Sequence, residues 1–216
     1  MISIEAQQKL LLNISKRLKR PLEIYAIGGT AMMFLGFKDA TVDIDLVFQS
    51  EEDRKIFKKS IEEIGYRKMD SVKVYGGKKN HPEMFTLGDE RFDLFVHQVI
   101  DFIFSKEMMQ RAAHTHRFNS NLILKIADPH DLIIMKCATD RKKDLDDARK
   151  IIEKGNINWE TLIGEAKNQI KLGKTRAAWE LGEFLEQLKD MKLKVPQEVI
   201  NQLFEIMEKQ AEEKQK

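Results

Sequence analysis

The chain has 216 residues, with 37 Lys and Arg set against 35 Asp and Glu for a net charge of +2. A balance this close to neutral excludes a global basic field of the kind that drives nucleic-acid binding, so any such surface must be local. Apolar residues at 42% and charged residues at 33% exclude a disordered chain, and fit one domain or a compact lobe with a helical appendage. Cys137 is the only cysteine, which excludes an internal disulfide and a cysteine-based zinc cluster.

The opening stretch MISIEAQQKLLLNISKRLKR lacks the basic start and small-residue cleavage site of a signal peptide and reads as an amphipathic helix. No apolar run approaches the roughly 18 residues of a membrane span, so a cytoplasmic protein without a membrane partner is expected. Glu23 to Ile27 is a short apolar run between Pro21 and two glycines and predicts a strand. Gly28-Gly29 then makes a turn, and Thr30 to Leu35 has room for a short helix that Gly36 caps. A second strand follows in TVDIDLVF, Thr41 to Phe48. Strand alternation puts Val42, Ile44, Leu46 and Phe48 on the core side, with Asp43 and Asp45 together on the other.

At a rise of roughly 3.3 Å per residue the two aspartates stand about 6.6 Å apart along the strand. That lets them converge on one cation or flank two ions about 3.5–4 Å apart. The glycines allow close backbone approach, and a helix start favours an anion. A Gly-Gly turn or an Asp-x-Asp strand is by itself common as a plain turn or a solvated face. Their order in one stretch points to phosphate beside metal.

Ser50 followed by Glu51, Glu52 and Asp53 predicts a helix N-terminus, with Ile56, Phe57, Ile61 and Ile64 as its buried stripe and Gly65 as its stop. The runs KVY (73–75), MFTL (84–87) and RFDLFV (91–96) predict strands of one sheet, separated by turn signals at Gly76-Gly77 and Gly88-Asp89. Within the last run Asp93 is a carboxylate among apolar residues. It is either an edge-strand residue open to water or, if its strand neighbours the Asp-x-Asp strand, a third carboxylate of one site. Arg54 to Lys79 is the most basic stretch, read as the wet face of a helix or as a local patch.

From about Ile100 the composition turns helical, which divides the chain into an α/β core over 1–100 and a helical region over 101–216 packed on it. Asp128-Pro129 starts a helix that the pattern carries to Gly155, placing Lys136, Asp140, Asp144 and Asp147 on one face with Arg141 and Lys143 beside them. Taken alone, that face reads as solvated i,i+4 pairing. Helices follow at WETLIGEAKNQIKLG, at TRAAWELGEFLEQLKD and after Pro196, and the tail AEEKQK is expected to fray. His114 and His116, on a helix, would face different ways, and no histidine has a partner at zinc-like spacing. Signatures of triad hydrolases and P-loop enzymes are missing.

GGTAMMFLGFKDATVDIDLVF resembles the Gly-Gly/Ser and Asp-x-Asp signature of the DNA polymerase β nucleotidyltransferase superfamily. DLIIMKCATDRKKDLDDARKII resembles the Lys-x4-Arg-x-Lys/Arg-Asp-x-x-Asp motif of its AbiEii-like toxin branch. The resemblance implies an α+β fold, with a mixed-sheet, palm-like nucleotidyltransferase core and a helical C-terminal part. It implies that Gly28, Gly29 and Thr30 hold the nucleotide phosphates and that Asp43 and Asp45 bind Mg2+ or Mn2+, with Asp93 in the place of the third carboxylate. Lys136 would reach the triphosphate, and Asp144, with Asp147 or Arg141 nearby, would complete the site. The implied activity is transfer of a nucleoside monophosphate from a nucleoside triphosphate to an RNA end, a protein or a small molecule, with a cognate antitoxin as a partner if the branch holds. The competing expectation is a non-catalytic protein of the same fold that binds nucleotide, RNA or a cognate protein.

Overall fold

The computed structural model describes residues 1–76, 80–139 and 141–213, with the side chains of Lys73 and Glu213 excepted. Two compact units divide the chain, Met1–Asp128 and Pro129–Lys216.

In chain order the first unit runs β1 (Ile2–Ser3), α1 (Ile4–Ser15), β2 (Leu22–Ala26), α2 (Gly28–Phe34), β3 (Ala40–Thr41), β4 (Asp43–Phe48) and α3 (Glu51–Glu63). It continues with β5 (Arg67–Met69), α4 (Val72–Tyr75), β6 (Glu83–Leu87), β7 (Glu90–Val96), β8 (Gln98–Val99), β9 (Phe102–Ile103), α5 (Lys106–Arg111), β10 (His114–Phe118) and β11 (Leu122–Ile126). The main sheet is mixed and has the order β10-β11-β2-β4-β7-β6-β5, with β8 and β9 extending from β7. β1 pairs separately with β3, which leads into β4. The fold is therefore α+β, as the sequence implies.

β4 lies in the middle of the seven strands and pairs in parallel with β7 and antiparallel to β2. One face of this pair is apolar: Ile44, Leu46 and Phe48 stand beside Phe92 and Leu94, all buried. α3 packs there through Phe57, whose ring lies 5.3 Å from Phe48 and 5.7 Å from Phe92. The helix is fixed at its start by the predicted cap, with Ser50 Oγ accepting from Asp53 N–H. The opposite face carries Asp43, Asp45 and Asp93, and further along it Val47 and Phe95 are buried. Val42, expected on the core side, is 50% exposed and falls between β3 and β4, because the strand starts only at Asp43.

Several local expectations change. KVY is not a strand: residues 72–75 form the short helix α4. Gly77, half of the expected turn there, lies outside the described residues. The stretch read as helical from Ile100 onward contains the short strand β9 and then β10 and β11, which are joined across Asn119, Ser120 and Asn121. Asn119 has a positive φ of 54° and turns the chain, while Leu122, Leu124 and Ile126 alternate inward as a half-buried strand requires. The division near residue 100 thus falls inside the first unit, whose strands continue to Ile126. His114 and His116, expected on a helix, sit on β10 and so share a face.

Three cations of the basic stretch pair with a single acid. Arg54, Lys58 and Lys68 converge on Glu83 at 3.2, 3.3 and 3.7 Å, which lowers its carboxyl's proton affinity although burial acts the other way. Lys78 and Lys79 lie outside the described residues.

The second unit is a bundle of α6 (Pro129–Cys137), α7 (Lys142–Lys154), α8 (Trp159–Lys171), α9 (Ala177–Asp190) and α10 (Gln197–Glu213). Residues 131–137 of α6 are all buried, the mark of a helix surrounded by others. Where one helix to Gly155 was expected, two occur. Thr139 N–H bonds Lys136 O, its hydroxyl donates to Asp144 Oδ2, and Arg141 is extended before α7 begins, so local hydrogen bonding replaces the helical ladder. Asp140 lies outside the described residues. α10 runs on to Glu213, into the tail expected to fray.

Candidate active site

The site begins where β2 ends. α2 starts at Gly28, two residues earlier than expected, and Gly28 has φ +54°, a conformation costly for any residue with a Cβ. A Cβ here would also collide with Asp45 Oδ2 and come within 2.9 Å of its Cγ, so the backbone lies directly against that carboxylate. At Gly29 a Cβ would strike the Thr41 hydroxyl and reach 3.0 Å from Thr41 Cβ. The pair of glycines thus lets α2 press against the start of β4. At the other end of α2, Gly36 N–H bonds Met33 O and Phe37 N–H bonds Met32 O, the Schellman closure that the sequence predicts.

Thr30 fastens the two elements together. Its buried hydroxyl accepts from Asp45 N–H at 3.1 Å and donates to Asp43 O at 3.4 Å. Main-chain Ile27 N–H bonds Asp45 O at 3.1 Å from the neighbouring strand. The backbone that presents both aspartates is therefore held from two sides.

The parallel register of β4 and β7 sets Asp45 beside Asp93 and Asp43 beside Arg91. Asp43, Asp45 and Asp93 each offer an oxygen, all within 4.8 Å of one another. Asp93 is therefore not an open edge residue, since its strand sits inside the sheet and its exposure is 0%. Arg91 Nε lies 2.9 Å from Asp93 Oδ1, Arg91 Nη2 3.2 Å from Asp93 Oδ2, and the same guanidinium forms an ion pair with Asp43. Tyr75 on α4 donates its hydroxyl to Asp93 Oδ2 at 2.7 Å.

Burial raises the Asp93 proton affinity, and Arg91 and Tyr75 only partly offset it. The Tyr75 hydroxyl is pushed far up, first by burial and then by Asp45 and Asp93, so it stays a neutral donor. Arg91 is held charged by Asp93 and Asp43 although burial opposes this. Neither Arg91 nor Tyr75 stands out in the sequence. Arg91 carried a usable signal, since it lies two residues before Asp93 on one strand and must share its face. Tyr75 carried none, because its segment reads as a strand.

These residues fit a divalent cation. Three carboxylates share one patch, and Arg91 offsets part of their charge. Among the described residues Asp43 Oδ1 is buried with no hydrogen-bond partner, an acceptor left over by the protein itself. A set made only of carboxylate oxygens suits a hard ion such as magnesium or manganese.

The remaining predicted residues lie in the second unit, where they hold one another. Lys136 Nζ lies 3.0 Å from Asp144 Oδ1 and 2.8 Å from Asp147 Oδ2, and its side chain is 8% exposed. Arg141 Nε reaches Asp144 Oδ2 at 2.7 Å, and the Thr139 hydroxyl also bonds that oxygen. Burial would raise the Asp144 carboxyl, but Lys136, Thr139 and Arg141 together bring it below the usual range.

The family model described as "Nucleotidyltransferase of unknown function (DUF6036)" matches residues 1–181. No curated protein matches the chain. Similar solved structures include ANT(2'')-Ia in complex with adenylyl-2''-tobramycin, 17% identical at a TM-score of 0.46, the alignment covering 84% of this chain and 98% of that one. The solution structure of the antibiotic-resistance factor ANT(2'')-Ia is also 17% identical at a TM-score of 0.46, with coverage of 87% and 96%. A candidate nucleotidyltransferase from H. pylori is 15% identical over 98% of each chain, at a TM-score of 0.41.

Proposed function

Since the chain belongs to this DUF6036 nucleotidyltransferase family, matched over residues 1–181, we propose that it moves a nucleoside monophosphate from a nucleoside triphosphate to an acceptor in a metal-dependent reaction. The observation that carries the reading is the convergence of Asp43, Asp45 and Asp93, with one Asp43 oxygen buried and unpartnered. Asp43 and Asp45, with Asp93, would hold magnesium or manganese, which when bound supplies positive charge to the oxygens of an in-line phosphoryl displacement. Gly28 lets the main chain lie against Asp45 and Gly29 lets it lie against Thr41, and the two would hold the phosphates beside the metal. Thr30 keeps the Asp43 and Asp45 backbone in position. Asp93 stands beside Asp45 on the neighbouring strand, where it would complete the carboxylate set around the ion.

The finer reading, an AbiEii-like enzyme with Lys136 and Arg141 toward the triphosphate, rests on the motif from Lys136 to Asp147. Those residues form one connected charge network, in which Lys136 pairs with Asp144 and Asp147 and Arg141 pairs with Asp144. In that branch the acceptor would be an RNA end, a protein or a small molecule, and a cognate antitoxin would be the partner. The non-catalytic alternative draws on Arg91, which already neutralises part of the carboxylate cluster.

The test is pyrophosphate release from each triphosphate with Mg2+ and a total lysate as acceptor source, followed by sizing of the labelled product. Wild-type protein should release pyrophosphate and label one class of acceptor. Asp43→Asn and Asp45→Asn should do neither while folding normally. Either variant matching wild type would overturn the reading.

A further inference from the structure

Arg91 brings a cation onto the carboxylate cluster, and its position follows from the sheet rather than from a chance rotamer. It lies two residues before Asp93 on β7 and opposite Asp43 on β4, so both acids stand on its own face of the sheet. Its guanidinium bonds both Asp93 oxygens and pairs with Asp43. The side chain is 19% exposed, so the group sits at the margin of the site with water within reach. Asp43 is satisfied on one oxygen only, the other being buried without a partner. A cluster of three carboxylates with no cation would repel itself, and an arginine fork is the side chain best shaped to bridge two of them.

We infer that Arg91 is an internal stand-in cation: it holds Asp43 and Asp93 together before metal arrives, and a divalent ion enters the cluster by exchange with its guanidinium rather than by simple addition. Arg91 is on this account a positioning residue. The inference rests on the proposed metal-dependent reading, and it gives the nucleotide-free protein a deliberately weak affinity for metal. An arriving triphosphate brings negative charge that the freed guanidinium can accept, so exchange is favoured when substrate is present.

The test is Mn2+ binding to the nucleotide-free protein, followed by electron paramagnetic resonance, for wild type, Arg91→Gln, Arg91→Lys and Asp45→Asn. Removing a competitor must tighten binding, whereas removing a purely structural support must weaken it, so the sign decides. Arg91→Gln should bind Mn2+ about tenfold more tightly than wild type, within the usual size of coupled binding effects. Arg91→Lys keeps one charge but cannot bridge two carboxylates, and should fall between the two. It also serves as the deciding variant if Arg91→Gln fails to fold. Equal or weaker binding in the folded Arg91 variants would overturn the inference while leaving the metal reading intact. Equal binding in all four proteins, Asp45→Asn included, would overturn the metal reading itself.

Discussion

Replacing Lys136 with methionine removes one cation from a buried network and keeps the length and volume of the side chain. Lys136 touches two carboxylates whose side chains are 2% and 5% exposed, so the change leaves negative charge in a place that water barely reaches. Removing one partner of a buried ion pair costs about 3–5 kcal/mol. Asp144 keeps Arg141 at 2.7 Å and the Thr139 hydroxyl, which puts the expected loss at the lower end, about 3 kcal/mol. For a chain of this size that corresponds to a fall in Tm of roughly 6–12 °C. Thermal and urea unfolding followed by circular dichroism measures it directly. Adding Asp144→Asn and Asp147→Asn to Lys136→Met should recover part of the loss, because an apolar or neutral replacement of a whole buried network is tolerated better than half of one. A stability change within about 0.5 kcal/mol would refute the reasoning, and would return Lys136 to the freely exposed face that the sequence alone allowed.

Gly28→Ala should destabilise the protein by about 1–2 kcal/mol from its left-handed backbone alone, and should lower transfer activity more than stability, because the new methyl group meets the Asp45 carboxylate. Activity measured at a temperature well below the variant's Tm separates the two effects. Tyr75→Phe removes a hydrogen bond to a charged, buried acceptor and should cost about 1.5–3 kcal/mol in chemical unfolding; a cost near zero would show that the Tyr75 contact is not held in solution. Folding lowers the Asp144 carboxyl, so Asp144 contributes stability above the ordinary aspartate range and loses it as pH falls toward the folded value. Asp144→Asn should therefore flatten the acid limb of the stability curve below about pH 4, and an unchanged limb would contradict the assigned pairing.

The parts of the fold that were legible in the sequence are those where one local signal decides. Ser50 with three acids starts α3, Gly36 ends α2, and Gly88-Asp89 closes the β6–β7 hairpin, each as expected. The parts that were not legible are those decided by partners far along the chain. HTHRF and LILKI form strands because β11 runs beside β2 in the sheet. The helix after Pro129 breaks where Thr139 and Arg141 both bond the Asp144 carboxylate. The site divides in the same way. Alternation alone put Asp43 and Asp45 on one face, but whether Asp93 joined them depended on which strand lay beside β4. Tyr75 depended on the path of a segment whose residue pattern favoured a strand.

That dependence has a consequence for how the molecule can fail. A slip of one residue between β4 and β7 would send Asp93 and Arg91 to the opposite face from Asp43 and Asp45. What forbids the slip is not the acids, which repel, but the aromatic packing of Phe48, Phe57 and Phe92 on the far side of the same strands. The alignment of the chemistry is thus a by-product of grease: loosening those rings, with every polar residue intact, should scatter the carboxylates before the protein unfolds.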